Sequence, residues 1–260
     1  MLLKHTLHRH TKNISAVAIS PDCSLLLSGG NDARALIWNL HTGELLQEME
    51  CMFEGPVSAM KWITPRESRG SAFIFGCADG TLHLYQRTSE SSLFSFLSLT
   101  KAHTGEIQSL DWDPRHERLA SAGGGSPQVW SFQGHQSLKP LIASPPHQLY
   151  VARSICFVDD GASVLVCYLE SHQMHLSHSV TYLPYSECYM VEPWSLKWSK
   201  QLPTRMRVPS HQRSYLSHFD SLYLLLVTNL VNGINRYKIP TMERVQTITH
   251  AMLRIVPLQV

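Results

Sequence analysis

Residues 10–39 read HTKNISAVAISPDCSLLLSGGNDARALIWN, and the order of events inside that stretch recurs twice further on. A histidine precedes an alternating apolar run around Val17. A turn at Pro21-Asp22 leads to a second run ending at Ser28, and Asp32 marks another turn before Ala35–Trp38. Short β-branched and apolar runs separated by turn residues are the pattern of antiparallel strands in small sheets. The second copy begins at Gly55-Pro56-Val57, passes Phe73–Gly76, turns at Asp79-Gly80 and closes on Leu82–Tyr85. The third runs from His103 to Trp130.

Spacing from Val17 to Val57 is 40 residues and from Val57 to Ile107 is 50. Those intervals bracket the repeat of about 40–45 residues of a four-stranded propeller blade. On these residues the chain resembles the WD-repeat family, clearly in its first three repeats and in strand rhythm alone after about residue 145. The resemblance implies an all-β propeller with about five recognisable four-stranded blades, at approximately 10–50, 51–100, 101–144, 145–202 and 211–250. It further implies a single domain over 1–260 and an incomplete or open ring, with single strands at Leu2–His8 and Ala251–Val260.

The resemblance also assigns a structural tetrad of loop histidine, strand serine, turn aspartate and strand tryptophan: His10, Ser28, Asp32 and Trp38 in the first repeat. In the second repeat Asp79 survives, but Gly76 stands where serine is expected, Tyr85 replaces tryptophan, and the histidine is missing. The third keeps His103, Ser121 and Trp130 with Gly124-Gly125 in place of the aspartate, and its serine-to-tryptophan spacing is 9 residues against 10, so a shorter turn without its carboxylate is expected. Beyond residue 145, Val151–Val158, a turn at Asp159-Asp160-Gly161 and Ser163–Tyr168 read as a hairpin. Glu187–Glu192 and Trp194–Leu202 follow as outer strands, and the last unit is expected at Tyr215–His218, Leu222–Thr228, Gly233–Lys238 and Arg244–Thr249.

Catalytic and cofactor motifs are absent: there is no phosphate-binding GxxxxGK[ST], no GxSxG nucleophile turn and no HExxH. Gly123–Gly125 precedes a strand and reads as a loop. The reading is therefore non-enzymatic, with no catalytic residue, metal or cofactor. His172, His175 and His178 could share one face of a helix and meet a metal, which defines the alternative of a metal-binding or catalytic propeller using the 169–186 loop. An inactive, truncated copy is the other alternative. Lys197, Lys200, Arg205, Arg207 and Arg213 interleave with Trp194 and Trp198. Such a stretch can grip a phosphate backbone, but no second basic stripe accompanies it, and long cationic side chains also cover apolar surface.

Net charge is +2, too small to attract an anionic partner over distance. Six cysteines lie far apart in sequence with no CxxC, and 43% hydrophobic content over 260 residues provides a core without disulfides. These features, and an N-terminus without an apolar signal segment, point to the cytoplasm or nucleus. Protein or peptide partners are expected rather than nucleic acid or membrane, with further pairing through open sheet edges. The loops on one propeller face supply the binding candidates: Lys12, Asn13, Asn31, Glu106, Arg153, Arg207 and Asn229.

Overall fold

A computed structural model describes residues 4–65, 71–89, 92–133, 137–141, 151–169, 181–182, 184–201, 206–207, 214–219, 222–229, 233–239 and 241–249. They form five four-stranded antiparallel sheets and a two-stranded ribbon. The single helical turn among them is at Asp159–Gly161. The chain divides into two compact units, Met1–His147 and Gln148–Val260.

In the first unit, β1 (Ile14–Ile19), β2 (Leu25–Gly30), β3 (Arg34–Asn39) and β4 (Leu45–Glu50) pair in sequence order. So do β5 (Val57–Ile63), β6 (Ala72–Cys77), β7 (Thr81–Gln86) and β8 (Ser95–Lys101). The third sheet is β9 (Ser109–Asp113), β10 (Arg118–Ala122), β11 (Gln128–Gln133) and β12 (Ser137–Pro140). Side chains alternate across a strand, and β6 uses both of its faces. Phe73 and Phe75 enter a core with Leu27, Ile37 and Met49 of the first sheet, while Ile74 enters another with Trp112, Leu119 and Trp130 of the third and Ile107 just before it. Complete burial of each such side chain contributes about 1.5–3 kcal/mol. Stacking of successive sheets is thus written into one strand.

Register places the repeats more finely than spacing does. β1 carries a bulge between Ile14 and Ala16, and β5 carries one between Val57 and Ala59. Ile14 opposite Gly30 therefore corresponds to Val57 opposite Cys77, and the inner-strand landmark is Ile14 rather than Val17. The same alignment corrects Gly76. Phe75 occupies the position of Ser28, because each lies four residues before the turn aspartate and ten before the aromatic residue of the third strand. Gly76 corresponds to Gly29, and both are glycine for a contact between sheets. A Cβ on Gly29 would lie 2.5 Å from Val57, and one on Gly76 would lie 2.5 Å from Ile107.

The second unit contains β13 (Val151–Val158), β14 (Ser163–Leu169), β15 (Thr181–Tyr182), β16 (Pro184–Met190), β17 (Ser195–Gln201), β18 (Met206–Arg207), β19 (Ser214–Phe219), β20 (Leu222–Asn229), β21 (Gly233–Lys238) and β22 (Glu243–Thr249). Its sheets are β13-β14-β16-β17 and β19-β20-β21-β22, and β15 pairs with β18 as a ribbon outside both. One irregularity ties them to the first unit. A register shift between third and fourth strands falls just before Trp38, Tyr85, Tyr189 and Tyr237 alike. The aromatic position thus persists where the serine position has become Val166.

Residues 4–8, within the expected strand at Leu2–His8, join no sheet. This segment is held by side chains instead: His5 Nε2 lies 2.9 Å from the His41 carbonyl, and Arg9 donates to Glu48. The expected strand at Ala251–Val260 lies outside the described residues.

Candidate functional site

The first sheet closes its loops with a buried polar quartet. Trp38 Nε1 donates to Ser28 Oγ at 2.8 Å, and Ser28 Oγ lies 2.9 Å from His10 Nε2. His10 Nδ1 faces both Asp32 carboxylate oxygens at 3.0 Å, and the Thr11 amide donates to the same carboxylate. A carboxylate only accepts, so His10 Nδ1 carries a proton and donates to Asp32. Burial raises the Asp32 carboxyl, but the Thr11 amide, the His10 bond and the His10 charge outweigh it and hold the group below its ordinary range. Every polar atom of the quartet faces another member, leaving no nucleophile aimed outward. Gly30 makes room for it, since a Cβ there would stand 2.8 Å from His10 Nδ1.

The third sheet retains three members. His103 Nε2 lies 2.8 Å from Ser121 Oγ, which accepts from Trp130 Nε1 at 2.9 Å. Ser121 faces Gln128 across the sheet, as Ser28 faces Leu36, so the turn is one residue shorter. The backbone at Gly124 and Ser121 bonds to the histidine in the absence of a carboxylate, and burial pulls the His103 pKa down to about 4 against that support. Gly123 repeats the role of Gly30, with its Cβ position 2.9 Å from the His103 ring.

The second sheet abandons the arrangement. Phe75 stacks on His83 at 4.8 Å and 9°, and Phe73 stacks on Tyr85 at 5.4 Å and 2°. Trp62 and Phe94 close on Phe73 from the edges. Asp79 still shapes its turn by accepting from the Thr81 amide and hydroxyl. The position of His10 is taken by Phe53, which is 99% exposed beside Met52 at 75%. Cys77 stands where Gly30 and Gly123 stand in the neighbouring sheets. Donor atoms of Cys51, Cys77 and His83, all buried, lie within 4.8 Å of one another. The Cys51 side chain, hydrogen-bonded to it, and then burial push the Cys77 thiol far up. Burial pulls the His83 imidazole down against the charges of Glu54 and Asp79. These two thiols are 26 residues apart in sequence, so no local motif announces them.

Above these interiors the loops form one continuous rim in the first unit. The Asn31 amide bonds the Asn13 carbonyl, Ala78 bonds Pro56, and Thr104 bonds Gly124. The first two turns are also tied to the following loops: Cys51 bonds Ala33, and Ala102 and His103 bond Gly80. Lys12, Asn13 and Asn31 are exposed on this rim, while Glu106 is half-buried and accepts from Gln108. Met52 and Phe53 lie on the intervening loop, a pair the sequence would have offered had the missing histidine been aligned by register.

The remaining candidates belong to the second unit. Half-buried Arg153 sits at the bulge of β13, Arg207 lies in β18 opposite Thr181, and Asn229 ends β20 opposite Gly233. In the basic stretch, Lys197 pairs with Asp159 at 2.8 Å and Trp194 stacks on Tyr189 at 4.9 Å. Trp198 packs against the local core, so Trp194, Lys197 and Trp198 are engaged in their own sheet or its turn, while Arg205 and Arg213 lie outside the described residues. His172, His175 and His178 lie outside the described residues. Among those described, no helix is long and apolar enough to cross a membrane.

Four-stranded antiparallel sheets, stacked face to face in the first unit, with a complete His-Ser-Asp-Trp quartet in the first and a partial one in the third, define the blades of a β-propeller class of repeat protein. The model of the WD domain, G-beta repeat, matches residues 2–39 and 94–131. A 154-residue stretch is 30% identical to the Periodic tryptophan protein 2 homolog of Dictyostelium discoideum, covering 55% of this chain and 16% of that protein. Over 167 residues the chain is 42% identical to the small ribosomal subunit protein RACK1y of rice, covering 62% and 46%. A chicken protein of chromatin assembly factor 1 is 26% identical over 127 residues, covering 44% and 22%. Residues 2–39 and 94–131 are thus WD repeats, and the chain spans less than half the length of each of these relatives.

Proposed function

We propose that the chain is a non-enzymatic interaction scaffold of the cytoplasm or nucleus that docks protein or peptide partners on the loop rim of its first unit. The observation that carries this reading is the exposed Met52-Phe53 pair, standing on a rim of hydrogen-bonded loops between Lys12, Asn13 and Asn31 on one side and Glu106 on the other. Large apolar anchors ringed by polar side chains on rigid loops are the usual build of an interface hot spot. Two relatives carry the names of components of larger assemblies, one of the ribosome and one of a chromatin assembly factor, which agrees with a role of that kind. Arg153, Arg207 and Asn229 are the corresponding candidates on the second unit.

The test is quantitative affinity capture with the intact chain, comparing wild type with Phe53→Ser and with Lys12→Ala/Asn31→Ala. Folding stability should change by less than about 0.5 kcal/mol, as for exposed positions generally. Partners recovered by wild type should be lost from Phe53→Ser and weakened by the polar pair. Undiminished recovery from both variants, or turnover of a small molecule by the purified chain, would overturn the reading.

A further inference from the structure

We propose that Cys51, Cys77 and His83 form a binding site for a thiophilic d10 metal ion, zinc or copper(I), in place of the polar quartet that the second sheet lacks. Three sheets can be compared at the Cys77 and His83 positions, and two at that of Cys51. Cys51 follows β4 and bonds the Ala33 carbonyl, as Ala102 follows β8 and bonds Gly80. Cys77 corresponds to Gly30 and Gly123, and His83 corresponds to Leu36 and Gln128 by strand pairing. Neighbouring sheets therefore carry non-ligating residues at every one of these positions. Here all of them carry metal-ligating donors, two thiols and an imidazole, buried within 4.8 Å of one another.

Geometry and surroundings suit the ion. Two thiolates on a tetrahedral zinc with bonds of about 2.3 Å stand about 3.8 Å apart. The observed spread of up to 4.8 Å among the donor atoms requires only a small inward movement. The His83 ring is fixed by its stack on Phe75, and its Nε2 lies 3.4 Å from the Thr81 hydroxyl. That contact is a second partner of the kind that orients a ligating imidazole. Glu54 and Asp79 lie close enough for their negative charges to act on both Cys77 and His83, a field that favours a cation. Two sulfurs and one imidazole select a soft ion over magnesium or calcium. On binding, each thiol proton leaves to solvent as its Sγ bonds the metal, and the ion joins the strand end at Cys51 to β6 and β7.

The experiment uses the full chain, purified in reductant, stripped with chelator and reloaded with zinc, copper(I) or cobalt(II) as a spectroscopic probe. Expected are equimolar uptake of zinc or copper(I), a thiolate-to-cobalt charge-transfer band, and a raised melting temperature in the loaded form. Cys51→Ala/Cys77→Ala should abolish the band and the melting shift. His83→Phe, which keeps the aromatic stack, should weaken uptake at least tenfold. Alkylation mapping of wild type gives a readout independent of any variant's folding: the metal should protect Cys51 and Cys77 while exposed Cys23 reacts throughout. Absence of equimolar uptake by folded wild type would overturn the assignment. So would uptake that leaves Cys51 and Cys77 unprotected, or that is lost on His175→Ala.

Discussion

The first and second sheets stack on one another and share a strand order, yet opposite kinds of chemistry hold their interiors. In the first, His10, Ser28, Asp32 and Trp38 satisfy one another in a chain of hydrogen bonds whose members are each worth little alone. In the second, Phe75 replaces the serine, and an aromatic stack through Phe73, His83 and Tyr85 fills the space with apolar area. The blade backbone tolerates either solution because strand pairing and sheet stacking set its shape. What changes is the failure mode: a polar clip fails when any one group loses its partner, whereas a stack fails in proportion to the area removed.

The largest expected effect lies in the aromatic sheet. Phe75→Ala should cost about 3–5 kcal/mol by urea unfolding, as a phenylalanine cavity does, against about 1–3 kcal/mol for Ser28→Ala, which leaves buried partners unsatisfied. Equal costs would erase the contrast.

Acid separates the quartet from the incomplete trio of the third sheet. His103 has a folded pKa near 4, below its unfolded value, so the unfolded chain binds the extra proton between about pH 6.5 and 4. The sign follows: the protein should lose about 3 kcal/mol as pH falls through that window, with the stability intact above it. His103→Gln should flatten this part of the pH profile of the urea midpoint. Asp32 behaves differently, because its lowered pKa keeps its contribution until pH falls below the ordinary carboxylate range.

A smaller effect tests the turns. Ala33 adopts φ 59° where the second sheet has Gly80 at φ 94°. Ala33→Gly should stabilise by about 0.5–1 kcal/mol by relieving the left-handed backbone. Gly80→Ala should destabilise, because its Cβ would meet the His103 carbonyl at 2.2 Å.

Strand rhythm and turn residues make most of the architecture readable. The hairpin around Asp159–Gly161 and all four strands of the last sheet fall within two residues of their expected places, since period-two alternation survives loss of the tetrad. His10, Ser28, Asp32 and Trp38 are legible because their spacing is carried by short, rigid turns. Gly76 reads in sequence as a failed serine because its reason lies in Ile107 of the next sheet, which no local pattern contains. Val17 likewise stands in for Ile14 when spacing is counted across a bulge. The meeting of Cys51 with Cys77 depends on two sheets packing, and Phe53 gains its prominence only once register shows it in the histidine's place.

The contrast is tested most directly by paired double-mutant cycles on unfolding free energy, one on Ser28→Ala with Trp38→Phe and the other on Thr81→Val with His83→Phe. Coupling on the order of 1–3 kcal/mol is expected in the first sheet, where the hydrogen bond is buried and short, and below about 0.5 kcal/mol in the metal-free second, where the contact is long. No coupling between Ser28 and Trp38, or equal coupling in both sheets, would contradict the division between a polar clip and an aromatic stack.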